Sequence, residues 1–315
     1  MTIPHRILPA PWRLLLLFIG AGCLVGCEEI IDPPFELIEP KLVITSTFAP
    51  HQHVTVNLTA TQPAAGEISY AHVADATVSI FEGTELLETL TYVPGDDGTR
   101  GTYVTTNFHP EVRHVYTVHA QADGFTPVSA QSSIPISVPI KSLRVENVTV
   151  STLLETEVYD YHLVVDYEDP ADQDNYYDLR IKQEVIPFRI DATTGDSIFF
   201  NPIFKSVNAP GNRNERVSST AGYASVLLEN KLAADGVSIH LQSTIRPHEE
   251  LLGNIVAELR TVAEPYYRFQ LDVQGTNTGG GLIEPRVNSY TNVTSGYGVF
   301  AGYNFSTSSL SLGGR

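Results

Sequence analysis

The segment His53–Leu58 reads HVTVNL, so polar and apolar residues alternate along it. This alternation places the apolar side chains on one face of a half-buried β-strand. The pattern recurs in Thr77–Phe81 and Val115–Ala120, and the turn cluster Pro94–Gly98 lies between those two segments. Six or seven strands at this spacing predict a β-sandwich of about a hundred residues, which we assign to residues 41–137.

A segment with two prolines follows the predicted sandwich. Ile134–Ile140 reads IPISVPI, and proline is excluded from central strands because it cannot donate a ladder hydrogen bond. We therefore place a domain boundary here and assign residues 138–315 to a second domain. In its order of strands and turns, the first domain resembles the Ig-like or transthyretin-like domains of exported bacterial proteins.

The second domain is also predicted to be rich in strands. Tyr159–Tyr167 and Tyr176–Gln183 predict a hairpin. Glu264–Val273 has helical periodicity instead, with Pro265 suited to the first turn and Tyr266 and Phe269 on one face. The sequence thus predicts a mainly β fold, in which the Ig-like or transthyretin-like sandwich is followed by an antiparallel β-sandwich or barrel with one short helix.

The amino terminus is built like a secretory signal. Arg6 and Arg13 provide positive charge before the apolar run Leu14–Ile19. This run is shorter than the ~20 residues that a membrane-spanning helix requires, so residues 1–26 are predicted to be a signal peptide rather than a transmembrane anchor. Leu24–Cys27 (LVGC) matches the bacterial lipobox, which implies cleavage before Cys27 and a lipid on its sulfur that holds the chain on a membrane surface.

The remaining composition limits the chemistry of the mature chain. Residues 27–40 are predicted to form an acidic tether that contains prolines. The sequence has 2 cysteines, Cys23 and Cys27, so cleavage would leave only the lipidated one and no cysteine for a disulfide, a zinc site or a nucleophile. The formal net charge of −17 argues against nucleic-acid binding.

Several short motifs occur in a recognisable order along the mature chain. They are Asp166–Pro170, Asn175–Tyr177, Glu264–Tyr267, Glu284-Pro285, Asn292-Val293 and Gly296–Tyr303. In this order they resemble the Bacteroidetes outer-membrane lipoproteins called domain of unknown function 4249. The resemblance implies an outer-membrane protein that faces the cell exterior, consistent with acidic residues directly after Cys27. It also implies an accessory role beside a TonB-dependent receptor in nutrient binding or uptake.

Catalytic motifs are missing from the sequence. It contains no G-x-S-x-G, no H-E-x-x-H and no phosphate-binding G-x-x-x-x-G-K. We therefore expect a non-enzymatic protein without a cofactor. Two alternatives stay open, namely an envelope structural or assembly factor and a glycan-acting hydrolase, because the paired carboxyls of glycosidases need no sequence motif.

Three sets of residues are candidate sites. Acidic side chains in one predicted turn could bind Ca²⁺, although solvated hairpin acids would look the same; they are Asp166, Glu168, Asp169, Asp172 and Asp174. Aromatic side chains could line a groove for a glycan or peptide, although they could equally belong to the core; they are Tyr266, Tyr267, Tyr297 and Tyr303. Asp196-Ser197-Ile198 resembles the Bacteroidetes O-glycosylation triplet, which makes Ser197 a candidate acceptor.

Overall fold

The computed structural model describes residues 39–61, 71–95, 101–170, 174–210, 217–220, 223–229, 236–277 and 290–312. Residues Pro40–Arg315 belong to one compact unit. The predicted signal peptide, Cys27 and nearly all of the predicted tether lie outside the described residues. No helix in the described ranges is long and apolar enough to cross a membrane.

Nine strands build most of a first sandwich, and the predicted alternation is confirmed. In one layer, Val56 and Leu58 are buried while their neighbours on the same strand face outward. The two layers run β1-β2-β7-β6, with β3 on β2, and β9-β8-β4-β5. The strands are β1 Leu42–Phe48, β2 Thr55–Ala60, β3 Ala71–His72, β4 Thr77–Glu82, β5 Glu85–Thr89, β6 Thr91–Val93, β7 Thr102–Val104, β8 Val115–Gln121 and β9 Val128–Ser133.

A second sandwich follows along the chain. Its layers are β10-β11-β17 and β15-β16-β12-β18-β20, and β13 and β14 pair with β12. The inward faces bury aromatic and aliphatic side chains such as Tyr161, Leu179 and Ile255. The remaining elements along the chain are β10 Ile140–Leu153, β11 Thr156–Tyr167, β12 Tyr176–Ile190, β13 Ser197–Phe199, β14 Ile203–Ser206, β15 Val217–Thr220, β16 Tyr223–Glu229, β17 Val237–Ile245, β18 Glu250–Val262, α1 Glu264–Asn277, β19 Val293–Thr294, which belongs to the first sandwich, and β20 Tyr297–Ser311.

Strand β20 belongs to both sandwiches. Its first part pairs in parallel with β1, from Val43 opposite Tyr297 to Phe48 opposite Gly302. Its second part pairs antiparallel with β18. Strand β19 pairs with β9, and Phe300 lies in the core of the first sandwich. The division into 41–137 and 138–315 stays a prediction, but the first sandwich of the structure contains strands from the carboxyl terminus.

The predicted short helix is confirmed as α1. It packs on the outer face of the larger layer of the second sandwich, where Tyr266 and Tyr267 are buried with Leu227, Val262 and Val299. This small apolar cluster holds the helix near the point where β20 passes from one sandwich to the other.

Candidate interaction surface

Large apolar side chains are exposed at one end of the second sandwich. Here β12 continues past the layer and pairs with β13, β14 and the start of β18. Ile190 is 60% exposed, Phe199 56% and Phe204 53%. We call this patch the apolar hairpin surface; its members are Ile190, Ile198, Phe199, Phe200, Ile203, Phe204 and Leu251.

The strand register explains why these residues are exposed. Phe188 lies opposite Phe199, with the two ring centroids 5.8 Å apart, and Ile186 lies opposite Leu251. Side chains alternate between the two faces of a strand. Ile198 and Ile203 are nevertheless exposed as well, although they lie on the other face. The hairpin is therefore uncovered on both faces.

A cleft of about 440 Å³ lies beside the apolar hairpin surface. Its lining residues are Pro187, Phe188, Arg189, Ile190, Arg246, His248, Glu249 and Glu250. Glu250 is 4% exposed, and it accepts hydrogen bonds from Lys205 Nζ at 2.6 Å and from the backbone nitrogen of Arg246 at 2.9 Å. Burial alone would raise the pKa of Glu250, but these bonds outweigh burial and lower it. The cleft thus combines apolar walls with fixed charges.

The turn between β12 and β13 is also fixed by a carboxylate. Asp191 accepts hydrogen bonds from the backbone nitrogens of Thr193 at 2.7 Å and Thr194 at 3.1 Å. The bond from Thr193 contributes most to lowering the pKa of Asp191. A turn held in this way gives the hairpin a defined shape at its tip.

A second apolar tip lies at the same end of the sandwich. The hairpin of β10 and β11 ends with Leu153, 68% exposed, and Leu154, 92% exposed. Because Glu157 pairs with Ile245, this tip is adjacent to the turn between β17 and β18 that contributes to the cleft. Apolar residues from two hairpins therefore project from one end of the molecule.

This end is remote from the point where the chain enters the compact unit. Leu42 starts β1, and the neighbouring Val43 pairs with Tyr297 at the first residue of β20. Ser311 at the other end of β20 pairs with Asn254, close to the hairpin. Since strands rise about 3.3 Å per residue, the 15 residues of β20 span about 45 Å. The apolar hairpin surface lies next to that far end of β20.

The four tyrosines predicted to face a ligand are not assembled in one groove. Tyr266 is 1% exposed and Tyr267 4%, whereas Tyr297 is 40% exposed and lies beside Lys41. Tyr303 is half-buried, and its ring centroid is 6.1 Å from that of Tyr266.

The acidic residues proposed for Ca²⁺ have separate protein partners. Asp166 accepts hydrogen bonds from Ser142 and Arg144, Glu168 pairs with Lys141, and Asp169 accepts from Tyr177 and Asn175. Asp174 is described and exposed, whereas Asp172 lies outside the described residues. Within the described part of the chain, no three His, Cys, Asp or Glu side chains form a group that could hold a metal ion.

The apolar hairpin surface was not predicted from the sequence, although a local signal for it exists. Ile198, Phe199 and Phe200 are consecutive apolar residues, and a single strand cannot turn all of them toward one core. Ser197, the predicted glycosylation site, is exposed at the start of β13 in the same hairpin.

Comparison with known protein families gives one match. A family model described as domain of unknown function (DUF4249) matches residues 28–309. No curated protein matches the chain. The matched region begins directly after Cys27 and includes both sandwiches, α1 and the apolar hairpin surface.

Proposed function

The chain belongs to the DUF4249 family, and we propose that it is a non-enzymatic outer-membrane lipoprotein that docks onto a TonB-dependent receptor and assists nutrient binding or uptake. The lipid on Cys27 would anchor the protein, and the apolar hairpin surface would contact the receptor. The exposed apolar side chains of this surface are the observation that supports the proposal.

The exposed apolar side chains of the apolar hairpin surface indicate a binding site for a partner. Contiguous exposed apolar patches on soluble proteins mark sites of interaction, and protein interfaces combine an apolar centre with a polar rim. Phe199 and Phe204 would supply the centre here. Arg246 and Glu249, both more than half exposed, would supply rim charges of both signs.

A receptor fits this surface better than a lipid bilayer does. Anionic lipid attracts an excess of basic residues, whereas the hairpin and its cleft balance Arg189, Lys205 and Arg246 with Asp191, Asp196, Glu249 and Glu250. The surface also lies at the end away from Lys41, where the chain from Cys27 arrives. A protein that rises from the membrane beside the anchored chain could reach that end.

Co-purification tests the docking proposal. Outer membranes solubilised in mild detergent should yield a complex of the wild-type protein with a receptor. The double variant F199S/F204S should lose the receptor but keep the wild-type melting temperature, because both side chains are mostly exposed. The control L86S/V93S likewise replaces two exposed apolar residues with serine, in the first sandwich, where they are 52% and 48% exposed, and it should keep the receptor.

Three results would overturn the docking proposal. The wild-type protein could be recovered only as a free monomer, or F199S/F204S could retain the receptor as well as the wild type does. The third result uses the C27S chain, which cannot be lipidated: if it floats with liposomes and F199S/F204S abolishes the flotation, the surface binds lipid.

The anchor is tested separately. In the F199S/F204S background, where receptor docking is removed, substitution C27S should move the protein from the membrane fraction to the soluble fraction, because a signal without the acceptor thiol leaves no site for the lipid. Protease added to intact cells should digest the wild-type protein if it faces the exterior. Retention of the triple variant C27S/F199S/F204S in membranes would contradict the anchor. Full protection of the wild-type protein from protease would contradict the outward orientation.

A further inference from the structure

A cluster of charged and aromatic side chains lies on the outer face of the second sandwich, next to α1. In the register, Arg180 of β12 lies opposite both Ser225 of β16 and Glu258 of β18. Asp178 lies opposite Arg260, one step further along the same face. The two arginines are therefore diagonal neighbours on adjacent strands, a spacing that long side chains can bridge.

Asp178 fixes the position of Arg180. The carboxylate of Asp178 is 1% exposed. It accepts hydrogen bonds from Ser225 Oγ at 2.5 Å, from Tyr266 OH at 2.6 Å and from Arg180 Nε at 2.8 Å. The hydroxyl of Tyr266 also accepts a bond from Arg180 Nη2 at 2.7 Å. Asp178 is thus satisfied within the protein, and Arg180 is held from two sides.

Arg260 is oriented in a similar way but uses fewer of its donors. Its Nε donates to Glu258 Oε1 at 2.5 Å. Its guanidinium carbon lies 4.2 Å from the ring centroid of Tyr303, and that of Arg180 lies 4.4 Å from the ring centroid of Tyr223. Among the described residues, neither Nη of Arg260 has an acceptor, although the side chain is only 13% exposed.

The arginines are close enough to repel each other. Burial, the largest single cause, and the charge of Arg180 both lower the pKa of Arg260. Tyr266, Tyr303 and Glu258 raise it by more in total, so the pKa lies above its ordinary value. Lys182, two residues beyond Arg180, faces the same side. By the same alternation Glu184 also faces this side, so the basic residues Arg180, Lys182 and Arg260 are matched in number by Asp178, Glu184 and Glu258.

We propose that the unused guanidinium donors of Arg180 and Arg260, between Tyr223 and Tyr303, bind the carboxylate of a small acidic ligand such as an acidic sugar. The tyrosine rings cover one face of each guanidinium, so a ligand would approach along the edge that carries the N–H groups. A carboxylate presents two oxygens in one plane and matches this edge in a bidentate arrangement. This site does not depend on receptor docking.

Calorimetry with defined probes tests the proposed carboxylate site. Glucuronate should bind to the wild-type protein, whereas glucose, which lacks the carboxylate, should not. Substitution R260K keeps the positive charge but removes the planar guanidinium, whose N–H groups bind a carboxylate in a bidentate arrangement. It should weaken glucuronate binding about tenfold or more. The control R268K changes an arginine of α1 that also has an acidic partner and a neighbouring tyrosine ring but is 56% exposed; it should bind as the wild type does.

A second measurement keeps the test valid if R260K fails to fold. In ¹⁵N spectra of the wild-type protein, a small set of arginine Nε–Hε signals should shift with glucuronate and stay in place with glucose. Absence of binding at millimolar glucuronate would overturn the proposal, as would equal weakening by R260K and R268K. Inorganic phosphate that binds as tightly as glucuronate would overturn the assignment to a carboxylate.

Discussion

Gly298 shows how one residue permits the junction of the two sandwiches. Its φ is +102°, and a Cβ at this position would lie 1.9 Å from the carbonyl oxygen of Ile44. Gly302, also on β20, would place a Cβ 2.3 Å from the carbonyl oxygen of Ser133. Both contacts are with backbone atoms, which cannot turn aside as a flexible side chain can. The close passage of β20 across the first sandwich therefore requires glycine.

Substitution G298A should destabilise the protein strongly. We expect a loss of about 2–4 kcal/mol in the free energy of unfolding, because backbone strain and a steric clash act together. The control G124A has a similar positive φ of +80° with nothing near its Cβ position, so it should lose only about 1 kcal/mol from strain. Urea unfolding measures both. Equal losses would mean that the approach of β20 to Ile44 has no energetic consequence.

Among the elements, β5 is attached to the loop before β8 by a single carboxylate. Glu88 accepts hydrogen bonds from the backbone nitrogens of Thr106 and Phe108, both at 2.7 Å, and of Asn107 at 3.1 Å. Burial alone would raise the pKa of Glu88, but the hydrogen bonds outweigh burial and lower the pKa from 4.5 to about 2.

This low pKa predicts a pH dependence of stability. The stabilisation by Glu88 should be complete above pH 4.5 and should be lost as the pH falls from 4.5 toward 2. At pH 7, E88Q should therefore cost about 1–2 kcal/mol, a value reduced for solvent screening. The difference from the wild type should shrink at pH 3. Denaturant unfolding at both values checks this, with E85Q on the same strand as the control; a gap independent of pH would contradict it.

Helix α1 shows what can be predicted from the sequence at the level of elements. Pro265 and the spacing of Tyr266 and Phe269 correctly predicted a helix, because these are local signals. The partner of Tyr266 had no such signal, since Asp178 is 88 residues away in the chain. The polar cluster could be recognised only after the strand register had placed Asp178 beneath the helix.

At the scale of the whole molecule, the pairing of β1 with β20 was beyond sequence analysis. Alternation predicts that β1 is a strand, but it gives no information about which distant segment lies beside it. Gly298 and Gly302 are the two residues within β20 whose type reflects its close approach to the first sandwich. Glycine alone, however, does not distinguish a close strand contact from a turn.

Residues 41–137 alone should therefore not form a stable domain. Without β20, Ile44 and its neighbours on β1 lose one paired strand, and the core loses Phe300. We expect the fragment to unfold without a cooperative transition. A fragment fused through a flexible linker to residues 290–303 should regain the transition, and a fusion to a scrambled version of that segment should not. Cooperative unfolding of the unfused fragment, seen by circular dichroism, would contradict this.

The pairing of Val43 with Tyr297 also sets the order in which a newly made chain can fold. The ribosome adds Tyr297 254 residues after Val43, so the amino-terminal sandwich stays incomplete while those residues are added. Chains dominated by such distant contacts fold slowly and expose apolar strands meanwhile. A chain that terminates before β20 would therefore leave both sandwiches incomplete and open to proteolysis.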